Sequence, residues 1–183
     1  MYKIAKDDFP KLYAAMQNIG TLLLPCKNKS GHADFAPYRE DAEVALDAPL
    51  TNRSAKDVFF PQVENLLTFK TSGKELALEQ NVPPACVTIV MGVRACDARS
   101  FEILDRVFLA EPKDTFYAAR RASGTVVTLA CTRPEETCFC QSFGIDPATP
   151  QGDISCWIEG ETLFWQTNTE KGEALTAKLP MLE

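Results

Sequence analysis

Val87-Thr88-Ile89-Val90-Met91-Gly92-Val93-Arg94-Ala95-Cys96-Asp97 is the stretch on which the reading of this chain turns. Its first seven residues are β-rich, almost continuously apolar and too few for a helix. That is the pattern of a strand buried on both faces of a parallel sheet. Thr125-Val126-Val127-Thr128-Leu129-Ala130 repeats the pattern, and the segment between is long enough for the crossover that two parallel strands require. Within that crossover Asp97 reads as the N-cap of a helix opening at Ala98, with Phe101, Leu104, Val107 and Phe108 on one apolar face. Glu111-Pro112 ends it. A second short helix is expected from Asp114 through Phe116, Tyr117 and Arg121, with Gly124 terminating it before the next strand. The right-handed crossover rule places both helices on one sheet face. The expectation is therefore a mixed α/β fold with a parallel-leaning central sheet and crossover helices.

The chain changes character near residues 50 and 150. Residues 1–50 read as a small N-terminal α+β lobe packed on a cysteine-bearing α/β domain of residues 51–183, the whole forming one unit. In the lobe, Lys6 to Asn18 is a helix and Thr21 to Pro25 a strand. Ala33 to Tyr38 and Glu43 to Leu46 form a hairpin-like pair, with Asn28-Lys29-Ser30-Gly31 as a turn. Punctuation from Pro49 to Pro61 suggests a connecting loop. Ile154 to Glu159 and Thr162 to Gln166 form a hairpin around Gly160, and Glu170 to Leu179 a closing helix. Leu182-Glu183 reads as a vector-derived tail, and a terminus just after the last helix suits a fragment of a longer protein.

Four of the seven cysteines fall in two groups, each after a predicted strand: Cys96, then Cys131, Cys138 and Cys140. Parallel neighbours carry both groups to the same sheet edge, outside the carboxyl ends of the strands, where open α/β sheets place ligands. Four thiolates suit an iron–sulfur cluster or a structural zinc. The spacing, with Cys138-Phe139-Cys140 in place of a Cys-x-x-Cys pair, matches neither template and leaves buried structural thiols open as well. Arg94, Arg99, Arg120, Arg121 and Arg133 are candidates to surround the thiolates, lower their pKa and offset their charge, with Arg94 and Arg133 foremost because they adjoin the cysteine loops. Asp97 is a candidate to assist from beside Cys96, against its plainer reading as a cap. Cys156 shares a strand face with Ile154 and Ile158 and reads as core. Cys86 reads as structural. The separation of Cys26 from His32 is ligand-like, but a lone loop histidine reads as solvent-facing.

At 183 residues the chain can bury a sizeable core without disulfides. No secretory signal, lipidation motif or apolar run of membrane length is present, so the odd count of seven cysteines points to reduced thiols or metal ligands in a cytoplasm, with no membrane insertion. A net charge of −6 disfavours nucleic acid and leaves a protein or small molecule as the partner. With one histidine, no phosphate-binding glycine loop and no Gly-x-Gly-x-x-Gly, no catalytic constellation is legible.

Gly92-Val93-Arg94-Ala95-Cys96-Asp97-Ala98-Arg99, Glu102 through Leu109, Phe116-Tyr117-Ala118-Ala119-Arg120-Arg121, Leu129-Ala130-Cys131 and Glu136-Thr137-Cys138-Phe139-Cys140, with Phe59-Phe60-Pro61-Gln62 upstream, together resemble one family. It is the N-terminal domain of the iron–sulfur β subunits of soluble NiFe hydrogenases, or sulfhydrogenases, and of the related iron–sulfur subunits of anaerobic sulfite reductases. Ala95 stands where that family commonly has proline. The resemblance implies an electron-transfer domain of a multi-subunit oxidoreductase. Its iron–sulfur cluster, of the 4Fe–4S type, would be held by Cys96, Cys131, Cys138 and Cys140, with Arg94, Asp97 and Arg133 around it. It further implies two partners, a ferredoxin-like module and a flavin-containing reductase subunit. No independent catalytic site is implied. The alternative is a metal-free or zinc-binding interaction domain that docks the same partners.

Overall fold

A computed structural model of the chain describes residues 1–81 and 86–183. Its elements run β1 (Tyr2–Ala5), α1 (Phe9–Ile19), β2 (Thr21–Lys27), β3 (Ala33–Pro37), β4 (Leu67–Ser72), β5 (Glu75–Gln80), β6 (Thr88–Val93), α2 (Ala95–Phe108), α3 (Thr115–Ser123), β7 (Gly124–Leu129), β8 (Ile154–Glu159), β9 (Thr162–Thr167) and α4 (Glu170–Thr176). Seven strands form one sheet in the order β1-β9-β8-β7-β6-β2-β3. The two quoted apolar runs are β6 and β7, adjacent and parallel as expected, and β2 and β8 continue the parallel set on either side. Antiparallel β3 closes one edge, and β9 with β1 the other.

Both faces of the central strands are covered, which explains why they lack polar alternation. Ile89, Met91, Val127, Leu129, Ile154 and Cys156 face a core shared with Leu12, Tyr13 and Met16 of α1 and Leu175 of α4. Val90, Val93 and Val126 face the opposite way, onto Ala98 and Phe101 of α2, Tyr117 of α3 and Phe59. Because β2, β6, β7 and β8 follow one another in a single direction across the sheet, right-handed connections fall on one face, and α2 and α3 lie there together.

Several expectations are corrected. Helix α2 begins at Ala95, not Ala98, so Arg94 is the N-cap residue and Asp97 lies inside the first turn, where its carboxylate accepts a 2.5 Å bond from Ser54 Oγ. The early start follows from Gly92. Its φ of +90° accompanies a slip in the β6–β7 register between Met91 and Val93, and the chain turns directly into the helix. Val107 is exposed: six residues beyond buried Phe101, it lies about 240° round the helix and leaves the packed stripe. Helix α1 starts at Phe9 with Pro10 in its first turn, after a 3₁₀ turn over Lys6–Asp8. The Asn28–Gly31 turn forms as read, with Asn28 Oδ1 accepting from Ser30 N and His32 N, but it joins β3 to β2. Residues 43–46 contribute only the bridge between Val44 and Cys26. Strands β1, β2 and β3 of the first fifty residues occupy the same sheet as β6 to β9. At the far terminus Glu183 exchanges two backbone bonds with Lys3, and Leu182 packs against the core. Pro83-Pro84, ahead of the first quoted strand, lie outside the described residues.

The β4–β5 hairpin was not anticipated. Its register sets Leu67, Phe69, Leu76 and Leu78 on one face, and every residue of both strands is exposed. An isolated two-stranded ribbon contributes little independent stability. Replacing all four by threonine should therefore shift the thermal midpoint by no more than about 2 °C; a larger fall would show that the hairpin supports the core.

On the α2–α3 face Asp105 accepts from Arg121 Nε and Nη2 at 2.9 and 2.8 Å and from the Tyr117 hydroxyl at 2.6 Å. Arg121 also lies over the Phe59 ring, 5.0 Å from its centroid. Burial alone would raise the Asp105 pKa, but the hydrogen bonds from Arg121 and Tyr117 and the nearby cation hold it below the ordinary 3.8. The folded-state pKa is depressed, so this contribution is present above pH 3.8 and lost as pH falls below it. Asp105→Asn should lower stability at pH 7 by about 1–3 kcal/mol and flatten the loss of stability below pH 4, read by denaturant unfolding across pH.

Candidate metal centre

Cys96 is the second residue of α2, where β6 ends, and Cys131 follows β7 by one residue beyond Ala130. The parallel pairing of β6 and β7 brings both to one sheet edge. Two backbone bonds then fold the rest of the cysteine loop back on itself. Cys131 N donates to Pro147 O at 2.9 Å, pinning the loop's start to its end, and Ile145 N donates to Cys140 O at 3.0 Å. Within the loop Cys138 Sγ accepts from Glu135 N at 3.2 Å, a bond of the kind that favours a charged sulfur.

The four sulfurs share an electrostatic neighbourhood. Burial raises the Cys96 thiol to about 11; the Asp97 carboxylate and the thiols of Cys140 and Cys131 push the same way, against one lowering bond from the Asp97 N–H. Burial likewise raises Cys131, opposed by the Arg94 cation and reinforced by Cys140 and Cys138. The expected lowering of thiol pKa by arginine is thus present at Cys131 but outweighed by burial. Without an external cation these two sulfurs are protonated at neutral pH, and a thiophilic metal would have to displace their protons. Among the described residues no three His, Cys, Asp or Glu side chains are gathered closely enough to hold a single metal ion.

Of the five arginines, only Arg94 acts on the cysteines. It is 9% exposed, and its guanidinium donates to four carbonyls: Ala130 O at 3.0 Å, Leu129 O at 3.4 Å, Leu46 O at 2.6 Å and Ala48 O at 2.7 Å. No carboxylate pairs with it among the described residues. Burial lowers its pKa, and Cys131, Cys96 and Asp47 are the groups that raise it. Arg133 stands exposed on the loop. Arg99, Arg120 and Arg121 are committed elsewhere, to Glu102, Glu64 and Asp105. Asp97 adjoins Cys96 but bonds to Ser54 and raises rather than lowers the thiol.

The remaining cysteines separate from this group. Cys156 is fully buried in the core, as expected from its strand face. Cys26 also faces the core while His32 sits on an exposed turn, so the structure does not join them. Cys86 is exposed, against its reading as a structural residue. The 46–48 segment was the site element missed, because nothing in its sequence announces carbonyls that hold an arginine.

Fold and site together define a mixed α/β domain that presents four thiols, from the ends of two adjacent parallel strands and one loop, beside a buried arginine. The chain is similar to sulfhydrogenase 2 subunit beta of Pyrococcus furiosus, at 29% identity over 152 residues, which cover 83% of this chain and 43% of that protein. The likeness supports a family relationship with hydrogenase β subunits. The chain spans less than half the length of the curated relative it matches. No family model matches, and no solved structure matches. Among the described residues no helix is long and apolar enough to cross a membrane.

Proposed function

We propose that this chain is an electron-relaying domain of a hydrogenase-type, multi-subunit oxidoreductase, holding one iron–sulfur cluster of the 4Fe–4S type through Cys96, Cys131, Cys138 and Cys140. The observation that carries the reading is the mutual influence of thiols delivered by separate elements, in a chain related to hydrogenase β subunits. Such a cluster supplies one-electron transfer, with a potential set by its surroundings. The chain's own residues do the rest. Arg94 offsets thiolate charge and ties the strand ends to the 46–48 segment, while the Glu135 N–H supports the Cys138 sulfur. The reaction centre would lie in partner subunits, and the partners this reading names are a ferredoxin-like module and a flavin-containing reductase subunit.

Anaerobic reconstitution with iron and sulfide tests it. Brown protein with broad visible absorption, and iron and sulfide each near four per chain, is the expected result. Colourless protein with stoichiometric zinc would instead support an interaction domain.

A relay needs its centre near an accessible surface. Residues 132–139 are exposed, and Phe139 and Phe143 stand 59% and 62% exposed with their rings 5.5 Å apart. Residues 94–99, expected as the other half of an open rim, are buried or half-buried, so the accessible side is the 131–141 loop alone. Hydrogen exchange on the free chain and on the assembled oxidoreductase should show protection of this loop on assembly. Protection elsewhere with this loop untouched would make the cluster a structural staple.

A further inference from the structure

A cavity of about 640 Å³ opens at the carboxyl edge of the sheet, on the face covered by α1. Its size is that of a small-molecule site, and its place is where parallel sheets bind ligands. Phe9 and Tyr13 of α1 and Tyr38 after β3 form one aromatic wall, with ring centroids 5.9 and 5.2 Å apart in succession. Val44 and Ile158 add apolar surface, and Cys131 and Arg94 also line it, so the cavity adjoins the thiol site.

The two tyrosines carry the inference. Tyr13 is 5% exposed and Tyr38 9%, yet among the described residues neither hydroxyl makes a hydrogen bond. Buried phenols ordinarily find a partner, and an unpaired buried donor is destabilising. Here both residues line an open cavity, so a bound molecule can accept from both. Burial, with Tyr38 and Cys26 nearby, raises the Tyr13 pKa, which keeps that phenol a donor at neutral pH. Charges among the lining residues balance in kind: Lys6 and Arg133 are matched by Glu40 and Asp47, while the guanidinium of Arg94 is occupied by carbonyls. Nothing here selects a strongly charged ligand.

We infer that this cavity binds an uncharged, planar aromatic molecule bearing carbonyl acceptors, of the quinone or cyclic aryl ketone class, with the Tyr13 and Tyr38 hydroxyls donating to its carbonyl oxygens. The inference stands apart from metal binding, so metal-free chain is the right material.

Equilibrium dialysis with duroquinone, whose ring has no free position for thiol addition, tests it. Durene, the same tetramethyl ring without carbonyls, is the control. The expected result is one duroquinone site per chain, with durene bound at least tenfold more weakly. Tyr13→Phe/Tyr38→Phe should erase that preference, and Val44→Trp should remove binding by filling the cavity. Val44→Trp could disturb folding, which circular dichroism would reveal; the double phenylalanine variant, which keeps the ring packing, decides the matter independently. No saturable binding, equal binding of the two compounds, or a preference unchanged without the hydroxyls would overturn the proposal.

Discussion

Cys138→Ser and Cys140→Ser chains, reconstituted anaerobically beside the parent, are expected to lose essentially all cluster iron, while Cys156→Ala retains most of it. The contrast follows from position. Cys140 bears on both Cys96 and Cys131, and Cys138 bears on Cys131, across the gap between the two strand ends. A four-thiolate site that loses one ligand is left with an open position on a solvent-facing loop. Cys156 is enclosed among Leu129, Ile154 and Trp165, and burial holds its thiol well above the ordinary range. It behaves as a small hydrophobe, so truncation to alanine should lower stability by about 1 kcal/mol and leave the metal untouched. Equal iron in all three variants would sink the ligand assignment. Loss in Cys156→Ala alone would move the site into the core.

The parts of this fold that were legible are those where burial on both faces left a plain mark. β6 and β7 are apolar at nearly every position because Ile89 and Val127 pack on one side and Val90 and Val126 on the other. Asp114 caps α3 through Phe116 N and Tyr117 N, at the helix start that its residue type suggested. The β4–β5 hairpin had its own signal, Leu67-x-Phe69 and Leu76-x-Leu78 on either side of Gly73, a period-two pattern around a residue with φ of +60°. It was passed over because its apolar face covers nothing, and a reading that looks for core strands discounts a strand without one. The cysteine groups were legible as groups, but spacing alone could not select a metal. The resemblance narrowed the choice, and the relationship to hydrogenase β subunits supports it. Asp97 misled for a physical reason: an aspartate near a helix start is a good cap, and only the early turn at Gly92 moves the start behind it.

Arg94→Met should be the most damaging single substitution near the site, lowering the stability of metal-free chain by about 3–5 kcal/mol in denaturant unfolding. A methionine fills much of the volume but leaves the carbonyls of Leu46, Ala48 and Ala130 without their donor, each inside or at the edge of the core. It also frees the 46–48 segment from the carboxyl end of β7, whose continuation carries Cys131. Arg94→Lys keeps the charge but cannot span four acceptors from two segments, because an ammonium is a point donor where guanidinium is a planar fork. It should therefore recover only part of the lost stability. The two variants also separate clamp from charge. If Arg94 chiefly offsets thiolate charge, Lys should retain iron nearly as well as the parent while Met does not. If the fork geometry dominates, both should lose iron in proportion to their loss of stability. An Arg94→Met chain that unfolds at the parent's midpoint would show that the four carbonyl bonds hold nothing together.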